Sequence, residues 1–182
     1  MLCLVLASTI CFILNYGKCQ FDPRIVNGYI AKPAQFPYMV SVLYKHQHVC
    51  GGSAISNIYV LTAAHCIIRN NEGIPVHLFS VLAGQNRLNH NVSQPSTCGI
   101  QQYFYPSDWM NNDIAILKLS QSLPINNSFI TYIPLPRKPT APGANCIVSG
   151  WGYRKFNTSQ LSTDLLAEIT MGTPVRAIQV DH

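Results

Sequence analysis

Apolar and polar positions along this chain change places over short distances, and the runs they form are too brief for amphipathic helices. Segments rich in β-branched and aromatic residues recur between turn-forming residues, the pattern of an all-β barrel or sandwich. Strands are expected near 38–44, 49–55, 59–62, 78–83, 99–105, 114–119 and 146–150. Punctuation is dense, with 12 Pro and 11 Gly marking many tight turns. The segment Ala63-Ala64-His65-Cys66-Ile67-Ile68 reads as a short helical turn after a strand. The Pro-rich stretch 134–142 reads as a linker between a first compact unit, about 26–135, and a second beginning near Gly143.

One apolar run breaks the pattern. Residues 2–14 (LCLVLASTICFIL) form a largely apolar run at the N-terminus, shorter than the roughly 20 residues a membrane-spanning helix needs. Position, length and the small residues Gly17 and Cys19 predict a secretory signal peptide over 1–19. Export changes how the seven cysteines are read. Cys3, Cys11 and Cys19 leave with the signal, while Cys50, Cys66, Cys98 and Cys146 remain where disulfides persist. No CxxC pair is present, so a zinc site is not expected. Sequons at Asn91, Asn126 and Asn157 lie in polar, loop-like sequence and are glycosylation candidates. At 48% apolar and 10% charged, the chain is a folding composition. Its net charge of +5 is scattered, which argues against nucleic acid and against an anionic membrane surface.

Three short segments carry chemistry. His65 stands in Leu61-Thr62-Ala63-Ala64-His65-Cys66, with Cys50-Gly51-Gly52-Ser53 sixteen positions before that cysteine. A histidine alone is as readily a surface or core residue as a base. Asp113, in Asn111-Asn112-Asp113-Ile114-Ala115, either caps an Asx turn or offers a carboxylate to an imidazole Nδ1–H at the mouth of a strand. Arg24 followed by Ile25-Val26-Asn27-Gly28 reads as a processing site, and cleavage there would free an α-amino group on Ile25.

Taken together, Arg24–Gly28, Thr62–Cys66, Asn112–Ala115 and Val148-Ser149-Gly150-Trp151-Gly152 resemble the activation, histidine, aspartate and mid-domain motifs of the chymotrypsin/trypsin serine protease family, in its order and at about its spacing. The resemblance covers Ile25 to about Thr170, roughly the first two-thirds of that family's catalytic domain. It implies a fold of two six-stranded antiparallel barrels with the active site between them. It implies His65 as general base, Asp113 as the acid orienting it, and a Cys50–Cys66 disulfide flanking the histidine. The expected organisation is a signal peptide over 1–19, a short propeptide over 20–24, and a protease domain over 25–182 that is incomplete at its C-terminus. A complete first barrel and only the start of the second are expected.

Departures from the family are as informative. The Gly-Asp-Ser-Gly-Gly motif that holds the family's nucleophile does not occur in this sequence, and Ser53 resembles a structural strand residue instead. The oxyanion hole, the base of the specificity pocket and the aspartate that receives the new α-ammonium would be missing with it. Cys146 resembles a cysteine whose family partner lies further along the chain. Cys98 has no counterpart, and pairing it with Cys146 is open in principle. An exposed apolar patch and open strand edges are expected where the second barrel is unfinished. Two functions follow. One is the precursor of a trypsin-like endopeptidase that, in full-length form, cleaves proteins or peptides after activation by another trypsin-like protease. The other is a secreted, non-catalytic homologue acting as a binding or decoy protein. Neither implies a metal, an organic cofactor, a nucleic acid, or a membrane once the signal is removed.

Overall fold

Six of the short apolar runs pair edge to edge and close on themselves. In the computed structural model, which describes residues 28–88, 96–125, 128–138, 141, 143–152 and 162–171, eleven strands form: β1 Tyr29–Ile30, β2 Met39–Tyr44, β3 Gln47–Ala54, β4 Tyr59–Thr62, β5 Ile68–Arg69, β6 Glu72–Gly73, β7 Phe79–Ala83, β8 Ser96–Phe104, β9 Ala115–Leu119, β10 Asn145–Gly150 and β11 Leu166–Met171. The closed barrel runs β2-β3-β4-β9-β8-β7, antiparallel throughout, and β2–β7 pairing shuts it. The second sheet runs β1-β11-β10, and β5-β6 is a small hairpin. The fold is all-β, with a closed six-stranded barrel and a three-stranded second sheet.

Strand alternation fills the barrel. Val40 and Val42 of β2, Cys50 and Ala54 of β3, Val60 of β4, Phe79, Val81 and Ala83 of β7, Cys98 and Ile100 of β8, and Ala115, Leu117 and Leu119 of β9 share one core. A register shift between Ile100 and Gln102 reverses parity along β8, so Tyr103 rather than residue 102 packs against that core. Gly52 allows the close approach of β2 and β4, since a Cβ there would sit 3.0 Å from Val60 Cγ1 and 3.1 Å from the Leu61 carbonyl oxygen.

Two barrel strands begin earlier than the sequence pattern indicates, for a shared reason. Ser96 and Thr97 extend β8, and Gln47 and His48 extend β3, through backbone pairing that polar side chains do not advertise. The reading of 26–135 as one barrel unit is corrected at its start. The barrel proper opens at Met39, whereas β1 pairs with β11 of the second sheet, Tyr29 opposite Ala167 and Ile30 opposite Leu166. The end of that unit holds, because Thr131 N–H donates to the Pro37 carbonyl and Ile133 N–H to Ala54, and residues 134–138 are exposed.

The second core explains the crossing. Ala31, Phe36 and Met39 bury against Trp151, Leu165 and Ala167. Strand β2 therefore has two buried faces, Val40 and Val42 toward the barrel and Met39 toward the second sheet. Asn86 ties the seam: its side-chain amide donates to the carbonyls of Ala31 (3.1 Å) and Lys32 (2.8 Å). Its own carbonyl accepts from Trp151 Nε1 (3.2 Å) and from the Leu165 N–H (2.7 Å). The Tyr38 hydroxyl hydrogen-bonds Ser149 across the same seam, and burial raises its pKa above 10.0 while that bond pulls it back down. Cys98 and Cys146 are both free thiols, one inside the barrel and one on β10, so the pairing left open by the sequence is not formed.

Candidate active site

The rim of the barrel brings two distant parts of the sequence together by strand pairing alone. Thr62 at the end of β4 lies opposite Ala115 at the start of β9. Residues just after Thr62 and just before Ala115 must therefore emerge at one end of the barrel, side by side.

Each residue is then turned into place by its local backbone. After an extended Ala63 (φ −90°, ψ 151°), residues Ala64–Cys66 make a single 3-10 turn closed by the Ile67 N–H on the Ala64 carbonyl, 3.0 Å. Ala63 and Ala64 are buried in the barrel core, so the turn rests on it. His65 is thrown to the rim, and its neighbour Cys66 is joined to Cys50 of β3 by a disulfide with Cα atoms 6.2 Å apart. Thr62 adds a further tie, its hydroxyl lying 2.9 Å from the Gly51 carbonyl and 3.6 Å from Cys66 Sγ. The sequence motif contained Thr62, but nothing in the pattern assigned it a role.

Asp113 is presented by a turn rather than by the strand. The N–H groups of Asn111 (2.9 Å) and Asn112 (3.1 Å) donate to the Asp108 carbonyl, and the Asn112 amide donates to the Asp108 carboxylate. Trp109 anchors this loop against the barrel core. The turn is therefore closed by the Asp108 backbone carbonyl rather than by an Asx cap at Asp113, whose carboxylate faces the histidine.

Both carboxylate oxygens of Asp113 bond His65. Oδ1 accepts the His65 backbone N–H at 3.0 Å, and Oδ2 lies 2.6 Å from Nδ1. An ionised carboxylate only accepts, so this pairing assigns the proton to Nδ1 and leaves the basic lone pair on Nε2. The side chains are 22% and 44% exposed, so the pair works in a partly solvated setting where its Coulomb energy is modest. Its value is orientation: with backbone and ring bonded to one group, the imidazole has a fixed direction and tautomer. Such a unit can take a proton from a hydroxyl and hold the resulting positive charge.

A second hydroxyl–imidazole contact lies nearby in sequence and was not anticipated. Ser41 Oγ and His48 Nδ1 are 2.6 Å apart, and the His48 ring meets Trp151 edge-on at 5.6 Å. Ser41 is buried, which makes this a seam contact between barrel and second sheet rather than a reactive pair. Arg24, Ile25, Asn91, Asn126 and Asn157 lie outside the described residues. Among the described residues, no helix is long and apolar enough to cross a membrane.

The comparisons with known proteins agree with this geometry. The Trypsin family model matches residues 25–177. Trypsin I-P1 of Gallus gallus is 36% identical over 146 residues, covering 80% of this chain and 56% of its own length. Trypsin-3 of Homo sapiens is 36% identical over 149 residues, covering 81% of this chain and 45% of its own. Among solved structures, human heparin binding protein superposes with a TM-score of 0.72 at 28% identity, over 82% of this chain and 66% of its own. The chain thus spans about half the length of the curated relatives it matches.

Proposed function

The chain belongs to the trypsin family, and from that premise we propose that His65 and Asp113 are the general base and orienting acid of a serine endopeptidase. The bracketing of His65 by both oxygens of one carboxylate carries this reading, because it fixes the ring direction and the tautomer that a general base requires. In the full-length form, Nε2 would take the proton of a serine hydroxyl as it attacks a peptide carbonyl. The imidazolium would then return it to the leaving amine. The Cys50–Cys66 disulfide and the Thr62 contacts keep the histidine's backbone from drifting during that exchange. Substrates are proteins or peptides. On this reading the nucleophile and its oxyanion hole would come from a Gly-Asp-Ser-Gly-Gly segment, which these 182 residues do not contain.

The same reading includes export through a signal peptide over 1–19 and activation by a trypsin-like protease cutting between Arg24 and Ile25. It also includes glycosylation at Asn91, Asn126 and Asn157.

A second reading is favoured by one observation. A structural neighbour, 28% identical, is described by what it binds, heparin, rather than by a reaction. On that reading the protein is a secreted, non-catalytic homologue acting as a binding or decoy protein. Labelling the native secreted protein with an active-site serine reagent, followed by mass measurement, separates the two. A labelled species longer than 182 residues supports the endopeptidase. An unlabelled one of this length refutes it and leaves the binding protein.

A further inference from the structure

Between the barrel and the second sheet the chain crosses open surface. Residues 134–138 (Pro-Leu-Pro-Arg-Lys) are all exposed, and among the described residues no hydrogen bond ties them down. The last anchor before them is the Ile133 N–H on the Ala54 carbonyl, 2.9 Å, and strand pairing resumes only at Asn145. Pro134 and Pro136 hold their own φ near about −65° and push Ile133 and Leu135 out of the helical region. The segment is thereby biased toward the extended form that a protease cleft binds. We propose that the Arg137–Lys138 peptide bond is a proteolytic processing site for an enzyme that cuts after arginine, and that the product is a two-fragment protein. In that step the C–N bond breaks and the hydroxyl of water joins the Arg137 carbonyl carbon. Its hydrogen goes to the Lys138 nitrogen, which then takes up the proton of the new acid.

The other described basic residues are shielded by structure or by a following proline. Lys45 and Arg69 precede or sit in two-residue hairpin turns, with left-handed φ at Lys45 (49°), His46 (66°) and Asn70 (53°), which cannot enter a cleft that needs extended chain. Arg87 is bridged to Asp164, and the next N–H, that of Leu88, donates to the Thr163 carbonyl at 2.9 Å. Lys118 lies inside the barrel sheet, between Tyr59 and Gln102. Lys32 and Lys138 precede Pro33 and Pro139, which put a locked φ and no N–H on the leaving-group side. Arg137 alone of this set combines exposure, freedom from pairing and a leaving residue other than proline.

Cutting there leaves the fragments joined. Tyr29 and Ile30 remain paired with Ala167 and Leu166, and the Ala31 N–H still donates to the Leu165 carbonyl at 2.8 Å. The Arg87–Asp164 ion pair, 2.7 Å, and the core of Ala31, Phe36 and Met39 against Trp151, Leu165 and Ala167 also span the two pieces. Cys146 is the one cysteine beyond the cut and is a free thiol, so this union is non-covalent. His65, Asp113 and the Cys50–Cys66 disulfide all stay on the first fragment. None of this depends on the endopeptidase reading.

A trace of trypsin is the probe, applied to the full chain carrying Arg154→Gln, Lys155→Gln and Arg176→Gln so that the second fragment stays whole. Mass spectrometry should show early cleavage between Arg137 and Lys138, with the bonds after Lys45, Arg69, Arg87 and Lys118 intact. Arg137→Gln should abolish that product. Both fragments should elute together in native buffer and separate in urea without a reductant. Asn86→Ala, which weakens the fold away from the cut, should leave its rate within about twofold, since an open native loop need not wait for unfolding. Acceleration of about fivefold or more in that variant would show that cleavage follows global unfolding, and overturns the proposal. So does a chain left uncut at this bond, or a pair of fragments that part in native buffer.

Discussion

Asp113 and Asn86 show how much single polar side chains organise here. Asp113 addresses the backbone and the ring of His65 with separate oxygens, which sets the position of the residue and the direction of its imidazole. Asp113→Asn would replace one acceptor by an NH2 donor, which cannot accept the Nδ1 proton and favours the other tautomer. The low-field proton resonance of the His65 Nδ1–H should vanish in that variant. In a form carrying the nucleophile, kcat should fall by about 10⁴-fold, the loss already known for the family's orienting acid. Asn86 serves the seam, donating to Ala31 and Lys32 with its side chain. Asn86→Ala leaves those two carbonyls without their donor and should cost about 1–3 kcal/mol. Urea denaturation measures the loss, and red-shifted emission from Trp151 would show where the seam has opened.

Turns and strand faces set the behaviour of the elements. The β2–β3 hairpin turns on Lys45 (φ 49°) and His46 (φ 66°), both left-handed, and the β5–β6 hairpin on Asn70 (φ 53°) and Asn71 (φ 63°). Paired positive φ values match the right-handed twist of the flanking strands. Asparagine tolerates that conformation, while lysine and histidine do so at a cost of roughly 1 kcal/mol each. His46→Gly should therefore stabilise the barrel by about 1 kcal/mol, less the added freedom of glycine in the unfolded chain. A rise in the unfolding midpoint at unchanged m-value is the expected result. The Lys-His pair also explains why this turn left no trace in the sequence pattern, where Asn-Gly or Asp-Gly would have announced it. At the other hairpin, Gly73 is required by space, since a Cβ would overlap the Tyr103 hydroxyl that donates to the Ile74 carbonyl.

Across the whole molecule, the barrel is closed and the second sheet is not. Ile147 and Ile169 are cross-strand partners, 48% and 61% exposed, on the open part of the β10–β11 pair. Ile30 on β1 adds a third exposed apolar side chain to the same sheet. Apolar surface of this kind is a site of self-association unless something covers it. Ile169→Lys should lower the association constant of the isolated chain in sedimentation while leaving its unfolding midpoint within about 0.5 kcal/mol of the parent, as for a surface change. An unchanged association constant would place the contact elsewhere.

Short β-branched and aromatic runs between turn residues were enough to locate six barrel strands to within a few residues, because each such run buries alternate side chains in one core. His65, Asp113 and the two flanking cysteines were legible for a different reason: their residue types cluster in short motifs whose order is that of a known family. What the sequence could not show is anything that depends on which backbone lies beside which. The crossing of β1 to the second sheet follows from the burial of Ala31 and Phe36 against Trp151 and Leu165, partners more than a hundred residues away. Asn86, Ser41 and His48 look like ordinary loop and strand residues until that seam forms. The pairing of His65 with Asp113, 48 positions apart, was implied by the family resemblance, but not the means that brings the two together. The motifs named both residues, but only the Thr62–Ala115 register of β4 and β9 delivers them to one rim, because antiparallel pairing fixes which chain ends meet.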